Sequence, residues 1–205
     1  MRKLVVSTGN RNKIAEIKEI LKDLPVEVLS KSDIGFENLE VTEDGDTLEE
    51  NSLKKARALK ELTEYMVMAD DSGLFVDSLD GAPGVHSSRY GGDKGNDFLN
   101  NQTLLKNLEG KDRKASFYTV IAFIDEKGNE YILKGKCEGS LLKEMRGTNG
   151  FGYDPIFVPD GYKKSFAELP IDVKNSISHR KRAVEALKEI LTIILGENDE
   201  NTGGK

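Results

Sequence analysis

The chain has 205 residues, a formal net charge of −6 and one cysteine, Cys137. This length fits one domain whose core needs no disulfide or metal as support, and a single cysteine excludes a disulfide framework. The negative charge argues against a nucleic-acid-binding module, which normally presents a basic surface. The N-terminal sequence MRKLVVSTGN has too short an apolar run for a signal peptide, and no segment of the sequence reaches membrane-spanning length. We therefore expect a cytoplasmic protein with no membrane or nucleic-acid partner.

A strand, a helix and a second strand are predicted at the N-terminus. Residues 3–8, KLVVST, form a β-branched run that is typical of a buried strand. Asn10 or Asn12 can cap the helix that follows, and Pro25 stops that helix. Residues 26–30, VEVLS, can form the second strand.

The connection between this strand and helix, STGNRNK at 7–13, has the features of an anion site. A helix N-terminus presents backbone N–H groups, and its dipole favours negative charge. Gly9 would let the backbone approach a ligand closely, and Lys13 would place an ammonium beside it. The stretch lacks the GxxxxGK[ST] spacing of a Walker A motif, and a plain turn with an asparagine cap is the alternative.

An acidic stretch precedes the next predicted helix, which Thr47 and Glu50 open as a capping box. Acids suit any helix start, and the capping box already explains Glu50, so Glu43 in the loop is the better candidate for a metal ligand. The acids of this stretch are Glu43, Asp44, Asp46, Glu49 and Glu50.

The segment MVMADDSGLFVD at 66–77 places two carboxylates directly after an apolar run. We expect a buried strand over 66–69, then a tight turn at Ser72 and Gly73, and a continuation over 74–77. Adjacent aspartates at a strand end can hold Mg²⁺ through oxygen ligands, and a carboxylate or the metal can activate a water. A turn without function is the alternative, but it explains one aspartate better than two.

The middle of the chain predicts a loop, a helix and a hairpin. Residues 81–96 are rich in Gly, Pro and Ser and indicate a long loop, and a helix of about three turns then ends at Gly110. Residues 114–125 and 130–142 flank Glu-Lys-Gly-Asn and predict a β-hairpin. The first of its strands is apolar on both faces, so we expect it to lie between two layers.

A second Gly/Pro-rich loop spans 146–161 and contains GTNGFGYDP. Phe151 and Tyr153 lie between its glycines, so the loop can present an aromatic stacking platform for a flat base. The glycine spacing does not match a dinucleotide fingerprint. An ordinary structural loop is the alternative.

The densest basic patch is VKNSISHRKRA at 173–183. Ser178 can cap the last helix, which puts His179 and Arg180 in the first turn, where cations are locally unfavourable. That placement points to a ligand that needs hydrogen-bond donors, and Lys174 belongs to the same patch. The rest of the patch fits a solvated face.

The predicted elements together indicate a mixed α/β fold over residues 1–195, with no internal repeat or domain linker. Residues 196–205, GENDENTGGK, have nothing to bury, so we expect a flexible tail.

Five segments of the chain resemble the inosine triphosphate pyrophosphatase family, the non-standard purine NTP pyrophosphatases (XTP/dITP diphosphatases). They are TGNRNK, EDGDTLEENSLKKA, ADDSGLFVDSLDGAPGVHSSRY, GTNGFGYDPIF and KNSISHR, and they occur in the family's order. The resemblance implies a two-lobed mixed α/β fold, with a long twisted central sheet flanked by helices and the active site in the cleft between the lobes. It further implies a homodimer and an Mg²⁺-dependent hydrolysis of ITP, dITP or XTP to the monophosphate and pyrophosphate, which cleanses the nucleotide pool.

The same resemblance implies roles for individual residues. Asp71 would be the catalytic carboxylate and a metal ligand. Many relatives carry two acids where this chain has Thr42-Glu43, so the second metal ligand would be Glu43. The implied substrate-binding residues are Thr8, Gly9, Asn10, Arg11, Asn12, Lys13, Ser72, Phe151, Gly152, Tyr153, Asp154, Lys174, His179 and Arg180.

Donor geometry suggests how the base would be selected. Hypoxanthine and xanthine present a 6-oxo acceptor, which Lys174, His179 or Arg180 could bind. Adenine presents an amino donor at that position, so donor would face donor and a buried group would be left unpaired.

Other functions are compatible with parts of the sequence. A non-enzymatic nucleotide sensor on the same scaffold would bind without turnover, but it has no need for the Asp70–Asp71 pair and Lys13. A pyrophosphatase with a broader or pyrimidine preference is a second alternative, against which the basic patch argues. A nucleic-acid-binding module comes third, because an aromatic-basic stripe is lacking.

Overall fold

The computed structural model describes residues 1–92 and 95–202, the last six of these by their backbone alone. The strands in this part are β1 Arg2–Val6, β2 Val26–Ser30, β3 Met66–Val76, β4 Lys114–Ile124, β5 Glu130–Leu141 and β6 Phe157–Pro159. The α-helices are α1 Arg11–Leu21, α2 Leu48–Lys60, α3 Asp97–Asn107, α4 Ile171–Ile177 and α5 His179–Thr202. Short 3-10 turns lie at Ser32–Ile34, Asp77–Leu79 and Gly84–Arg89.

The strands of the described residues form one mixed sheet in the order β2-β1-β3-β4-β5-β6. β1 pairs in parallel with both β2 and β3, whereas β5 and β6 are antiparallel. Parallel neighbours need a crossover between them, and α1 and α2 lie at these places in the chain. The mixed α/β fold predicted from the sequence is confirmed.

The chain divides into two compact units. The first comprises Met1–Asp71, Val120–Gly135 and the residues from Lys181 onward, and the second comprises Ser72–Thr119 and Lys136–Arg180. The strands β3, β4 and β5 therefore each contribute residues to both units.

The core of the first unit lies on both faces of its strands. On β1, Leu4 and Val6 pack in a cluster with residues of α1 and α5, including Leu187. Val5 points to the opposite face and packs with Ala56 of α2. This two-residue alternation explains why each strand can be buried by helices on both sides.

The core of the second unit is built from aromatic rings and one helix. Leu104 and Leu108, at the end of α3, are fully buried in a cluster with Phe117, Phe157 and Phe166. The rings of Phe117 and Phe157 meet edge to face, with their centroids 4.7 Å apart. Helix α3 is therefore firmly anchored at its C-terminal half.

Several sequence predictions are confirmed. Asn10, rather than Asn12, caps α1, and Thr47 caps α2 by accepting a hydrogen bond from the Glu50 N–H at 3.1 Å. The hairpin strands are β4 and β5, and β4 is buried along nearly its whole length, as its two apolar faces predict. Helix α5 begins directly after Ser178, whose backbone is extended.

The predicted turn at Ser72 and Gly73 is wrong. β3 runs without interruption from Met66 to Val76, so Asp70 and Asp71 lie within the strand rather than at its end. Gly73 serves close packing, because an added Cβ would lie 2.4 Å from the carbonyl oxygen of Gly84. A glycine and a serine after two acids resemble a turn, but here pairing and packing override that local preference.

Three further segments differ from the sequence predictions. Helix α4 was not predicted, and the predicted loop 81–96 contains a 3-10 turn over Gly84–Arg89. The backbone of α5 continues to Thr202, past the start of the predicted tail. Residues 93 and 94 of the predicted loop and 203–205 of the predicted tail lie outside the described residues.

Among the described helices, none has the length and apolar composition that crossing a membrane requires.

Candidate active site

The turn between β1 and α1 presents backbone N–H groups around an asparagine cap. The side-chain oxygen of Asn10 accepts hydrogen bonds from the N–H groups of Asn12 at 3.0 Å and Lys13 at 3.3 Å. Thr8 Oγ1 accepts one from the Asn10 N–H at 3.2 Å. A Cβ added at Gly9 would meet no atom within 4 Å. The exposed residues of the turn are Gly9, Arg11 and Asn12. The turn thus combines a helix N-terminus with open space beside it, which suits an anion.

Lys13 of α1 forms an ion pair with the first of the two adjacent aspartates. Its Nζ lies 2.8 Å from Oδ2 of Asp70, whose side chain is 0% exposed. A carboxylate buried this deeply needs an opposite charge, because desolvation otherwise favours its neutral form. The structure therefore joins the predicted anion turn to the predicted acidic pair.

Lys55 of α2 holds the second aspartate. Its Nζ lies 3.2 Å from Oδ1 of Asp71 and 3.7 Å from Oε1 of Glu43, and it donates a hydrogen bond to the Asp70 carbonyl at 2.7 Å. One ammonium thus brings the two predicted metal ligands, Glu43 and Asp71, to the same place.

The charges of this group are coupled. Burial raises the pKa of Asp71 above its ordinary 3.8, although Lys55 and Lys13 act in the opposite direction. Burial alone would lower the pKa of Lys55, but Asp71, Asp70 and Glu43 outweigh it, and the pKa rises above 10.5. Lys55 therefore remains an ammonium at neutral pH, and the ionisation of Asp71 depends on its cationic neighbours.

The donor set of Glu43 and Asp71 fits a hard divalent cation such as Mg²⁺. Both offer carboxylate oxygens, and Lys55 between them demonstrates that the space accepts positive charge. Within residues 1–92 and 95–202 there is no cluster of three or more His, Cys, Asp or Glu side chains of metal-site geometry. Mg²⁺ commonly keeps several water ligands, so one or two carboxylates such as Glu43 and Asp71 would suffice to hold it.

The other acids near α2 have structural partners. Glu50 accepts a hydrogen bond from the Asp46 N–H at 2.7 Å, as expected of an acid at a helix start. Asp44 forms an ion pair with Lys54 at the surface. These contacts favour the structural interpretation of both Glu50 and Asp44.

In the second unit, Ser72 lies in a small polar group. Its Oγ is 2.8 Å from Oγ1 of Thr119, and Arg180 Nη2 donates to it at 3.5 Å. Thr119 and Arg180 are 0% and 2% exposed. The guanidinium carbon of Arg180 lies 5.6 Å from the centroid of the Phe151 ring, so a buried cation contacts the predicted stacking platform.

Lys174 and Asp154 form a buried ion pair beside the same ring. Lys174 Nζ lies 2.6 Å from Oδ2 of Asp154, and both side chains are less than 5% exposed. The same oxygen accepts a hydrogen bond from the Phe151 N–H at 2.9 Å, and Lys174 Nζ lies 4.7 Å from the ring centroid. A Cβ at Gly150 would lie only 2.0 Å from this oxygen, so glycine is required there.

Two other predicted residues pack against buried partners. The imidazole of His179 stacks on Phe117, with centroids 4.6 Å apart and planes 12° from parallel. Tyr153 donates a hydrogen bond from its hydroxyl to the carbonyl of Ser87 at 2.8 Å, and burial raises the pKa of this phenol. Tyr153 therefore supports the loop as a neutral phenol.

Sequence reasoning missed Lys55. In the pattern LKKA it resembles an ordinary surface lysine of a helix, but its position on the helix indicates that it faces the interior. Ser52 and Leu59 are buried on α2, and Lys55 lies three and four residues from them, on the same face. Lys54 lies away from that face and is 45% exposed.

The sequence and the fold match known proteins. A model of the Ham1 family matches residues 4–190. A protein from Clostridium perfringens (strain 13 / Type A) named dITP/XTP pyrophosphatase is 47% identical over 204 residues, which cover 95% of this chain and 100% of that protein. A protein of the same name from Thermoanaerobacter sp. (strain X514) is 48% identical over 192 residues, covering 92% and 96% of the two chains.

Solved structures agree with these matches. A HAM1 protein from Coxiella burnetii superposes with a TM-score of 0.86 at 41% identity, covering 94% of this chain and 99% of that chain. The Staphylococcus aureus Ham1 protein superposes with a TM-score of 0.84 at 36% identity, covering 93% and 98%. The resemblance inferred from the five sequence segments is confirmed. Since the family model extends from the first strand into the last helix, the chain belongs to the Ham1 family.

Proposed function

We propose that this protein hydrolyses the non-standard purine nucleoside triphosphates ITP, dITP and XTP to the monophosphate and pyrophosphate, which keeps them out of DNA and RNA. The observation that carries the proposal is the contact of two lysines, Lys13 and Lys55, with the consecutive acids Asp70 and Asp71. This group places two cations, which a polyphosphate needs, next to a carboxylate that can activate a water. The names of the relatives support the substrate class.

The triphosphate is assigned to the turn between β1 and α1. A triphosphate carries about four negative charges, which a helix N-terminus, an ammonium and a divalent cation can offset together. Lys13 supplies the ammonium, and Asn10 keeps the turn in the conformation that presents its N–H groups. The residues proposed to hold the triphosphate are Thr8, Gly9, Asn10, Arg11, Asn12 and Lys13.

The catalytic carboxylate is assigned to Asp71. It would orient or deprotonate the water that attacks the α-phosphorus. The bond between the α-phosphorus and the oxygen that bridges it to the β-phosphorus then breaks, and pyrophosphate leaves. Lys55 contributes by favouring the ionised form of Asp71, against the effect of burial. Mg²⁺ held by Asp71 and Glu43 would neutralise phosphate charge and activate water.

The base is assigned to residues of the second unit. Phe151 would stack on it, while Lys174, His179 and Arg180 provide donors for a 6-oxo group. Adenine would turn its amino donor toward these donors and leave a buried group unpaired, which selects against ATP. The remaining residues proposed to contact the nucleoside are Ser72, Gly152, Tyr153 and Asp154.

Residues 1–195 are proposed to act as one catalytic domain, because the family match includes residues of both units. The protein is further proposed to act as a homodimer in the cytoplasm. Sedimentation velocity tests the dimer: at micromolar concentration, the measured mass should be twice that of the monomer.

A pyrophosphate-release assay tests the proposed function. ITP, XTP, dITP, GTP, ATP and dUTP are compared with and without Mg²⁺, and the nucleotide product is identified by chromatography. We expect monophosphate and pyrophosphate from ITP, XTP and dITP, at least about 100-fold faster than from ATP, and only with Mg²⁺. Binding of ITP without turnover, release of orthophosphate, or equal rates with ATP would contradict the proposal.

A further inference from the structure

The loop that carries Phe151 has a backbone that needs an external support. Gly147, Gly150 and Gly152 all have positive φ, at 81°, 78° and 62°. Glycine permits these conformations but also permits many others, so a loop with three of them is not fixed by its own sequence. If the Phe151 ring selects a base, contacts from outside the loop must hold the loop in one conformation.

Helix α3 provides that support by binding both polar groups of one loop residue. The N–H of Gly152 donates to Oδ2 of Asp97 at 2.7 Å, and its carbonyl accepts from Nδ2 of Asn101 at 2.8 Å. Asp97 and Asn101 are four residues apart and therefore lie on one face of α3. Asn101 Nδ2 also donates to the Asp97 carbonyl at 2.7 Å, which orients the amide.

The supporting helix is itself well fixed. Asn96 caps its start by accepting a hydrogen bond from the Leu99 N–H at 3.0 Å, and Leu104 and Leu108 are fully buried in the core of the second unit. Asn101 is 1% exposed. The hydrogen bonds to Gly152 therefore connect the loop to a capped helix that is packed into the core of this unit.

We propose that Asp97 and Asn101 are positioning residues that fix Gly152 for base recognition. Gly152 follows Phe151 directly, and the Phe151 N–H and Lys174 share one oxygen of Asp154. Without the two bonds from α3, the peptide after Gly152 loses the hydrogen bond to its carbonyl, and the peptide before it keeps only the one that the Phe151 carbonyl accepts from the Asp154 N–H at 3.2 Å. Phe151 and Lys174 then lose the arrangement that receives the base. This inference rests on the proposed function and adds two residues to it that the sequence did not indicate.

The effect of such residues differs from that of a purely structural contact. A structural loss lowers the fraction of folded enzyme and therefore lowers kcat without changing KM. A loss of positioning raises KM and weakens the preference for ITP over ATP. KM and this preference both depend on the conformation of the loop when the base binds.

The variants separate the hydrogen bond from the charge. Asp97→Ala removes both, whereas Asp97→Asn keeps an acceptor oxygen for the Gly152 N–H and removes only the negative charge at the helix start. Asn107→Ala is the matched control, because Asn107 is on the same helix and its Nδ2 donates to the Tyr90 hydroxyl at 2.9 Å. Asn101→Ala completes the set. Asp97 is exposed, so its variants keep the test decisive even where the buried Asn101→Ala does not fold.

Steady-state kinetics with ITP and ATP and amide hydrogen exchange at Gly152 measure the effect. We expect Asp97→Ala and Asn101→Ala to raise KM for ITP about tenfold, to leave kcat within about threefold, and to reduce the ITP-to-ATP ratio of kcat/KM about tenfold. Asp97→Ala should accelerate exchange of the Gly152 amide, whereas Asp97→Asn and Asn107→Ala should behave like the wild type.

An unchanged KM and base preference in Asp97→Ala overturns the inference, as does an Asp97→Asn variant as impaired as Asp97→Ala. A failure of the proposed function looks different, since the wild type would then release no pyrophosphate from ITP. In that case calorimetric binding of ITP replaces the kinetics: a roughly tenfold weaker affinity in Asp97→Ala supports the positioning role, and an unchanged affinity refutes it.

Discussion

Lys55 is the residue that joins the acidic side chains of the first unit. Its ammonium contacts Asp71, Glu43 and the carbonyl of Asp70. Without it, Glu43 and Asp71 would repel each other, and the pKa of Asp71 would rise further above its ordinary value. In the proposed function, a lysine among carboxylates would prepare the site for both a divalent cation and a polyphosphate.

Replacing Lys55 should therefore impair catalysis much more than replacing its neighbour. We expect Lys55→Met to lower pyrophosphate release from ITP at saturating Mg²⁺ by about 10- to 100-fold, because the site loses a fixed cation. Lys54→Met is the control, since Lys54 pairs with Asp44 at the surface and should remain near wild type. Equal rates for the two variants would show that Lys55 has no role in the reaction.

The raised pKa of Asp71 predicts a dependence of stability on pH. A carboxyl group whose folded-state pKa is raised contributes stability below its unfolded value, here 3.8, and loses that contribution as the pH rises through the folded value. Asp71→Asn carries no charge at any pH and avoids this loss. We expect it to melt about 1–3 °C higher than the wild type at pH 7, with the gap closing toward pH 4.

Thermal melts of both proteins between pH 4 and pH 8, without divalent cations, measure this difference. A variant that melts below the wild type at pH 7 would mean that the Asp71 pKa is lowered rather than raised, because the ionised carboxylate would then stabilise the fold. The matched Asp44→Asn variant, which changes a surface carboxylate, should show no such gap at pH 7.

At the level of elements, β3 illustrates where local sequence signals fail. Asp-Asp-Ser-Gly after an apolar run predicts a turn, yet the strand continues to Val76. The acids remain in the strand because Lys13 and Lys55 neutralise them, and these lysines come from α1 and α2, which the local sequence cannot reveal. Gly73 likewise serves a packing contact rather than a turn.

A substitution at Gly73 tests this account of β3. In Gly73→Ala the new Cβ would lie 2.4 Å from the Gly84 carbonyl oxygen, and backbone on both sides must move. We expect a loss of about 1–3 kcal/mol in the free energy of unfolding, measured with urea. Gly9→Ala is the control, because its Cβ would meet nothing within 4 Å, and its stability should change by less than about 0.5 kcal/mol. A Gly73→Ala variant as stable as Gly9→Ala would contradict the packing role.

Helices with strong periodicity and caps were predictable, and short ones were not. The caps of α1 and α2 were evident from Asn10 and Thr47, whereas α4 has only seven residues and ends at Ile177, two residues before α5 begins. The candidate site was also predictable only where its residues are close together in the sequence. The turn at 7–13, whose residues are adjacent in sequence, was predicted, whereas the hydrogen bonds of Asp97 and Asn101 to Gly152 join residues 55 and 51 positions apart.

For the whole molecule, the net charge of −6 makes the placement of the cations decisive. Four of the five lysines and arginines assigned to the substrate have low exposure: Lys13 is 17% exposed, Lys55 12%, Lys174 2% and Arg180 2%, whereas Arg11 is exposed. Cations held at low exposure act over short distances and are little screened by salt. In the proposed site these cations would attract a triphosphate locally, despite the negative net charge of the chain as a whole.

The fold class and the family were both accessible from the sequence, because the five segments are specific and appear in order. The division into two compact units was implied by the resemblance alone, since its boundaries fall within β3, β4, β5 and α5 rather than at linkers. No local property of residues 71 and 72 marks such a boundary. It depends on contacts between segments far apart in the chain.

The most direct test of the proposed reaction is turnover of ITP by Asp71→Asn in the presence of Mg²⁺. The variant keeps the size of the side chain and should fold at least as well as the wild type, so a loss of activity reports chemistry. We predict that it binds ITP within about tenfold of the wild-type affinity and releases pyrophosphate at least about 1,000-fold more slowly. Turnover near the wild-type rate would contradict the assignment of the water-activating carboxylate to Asp71.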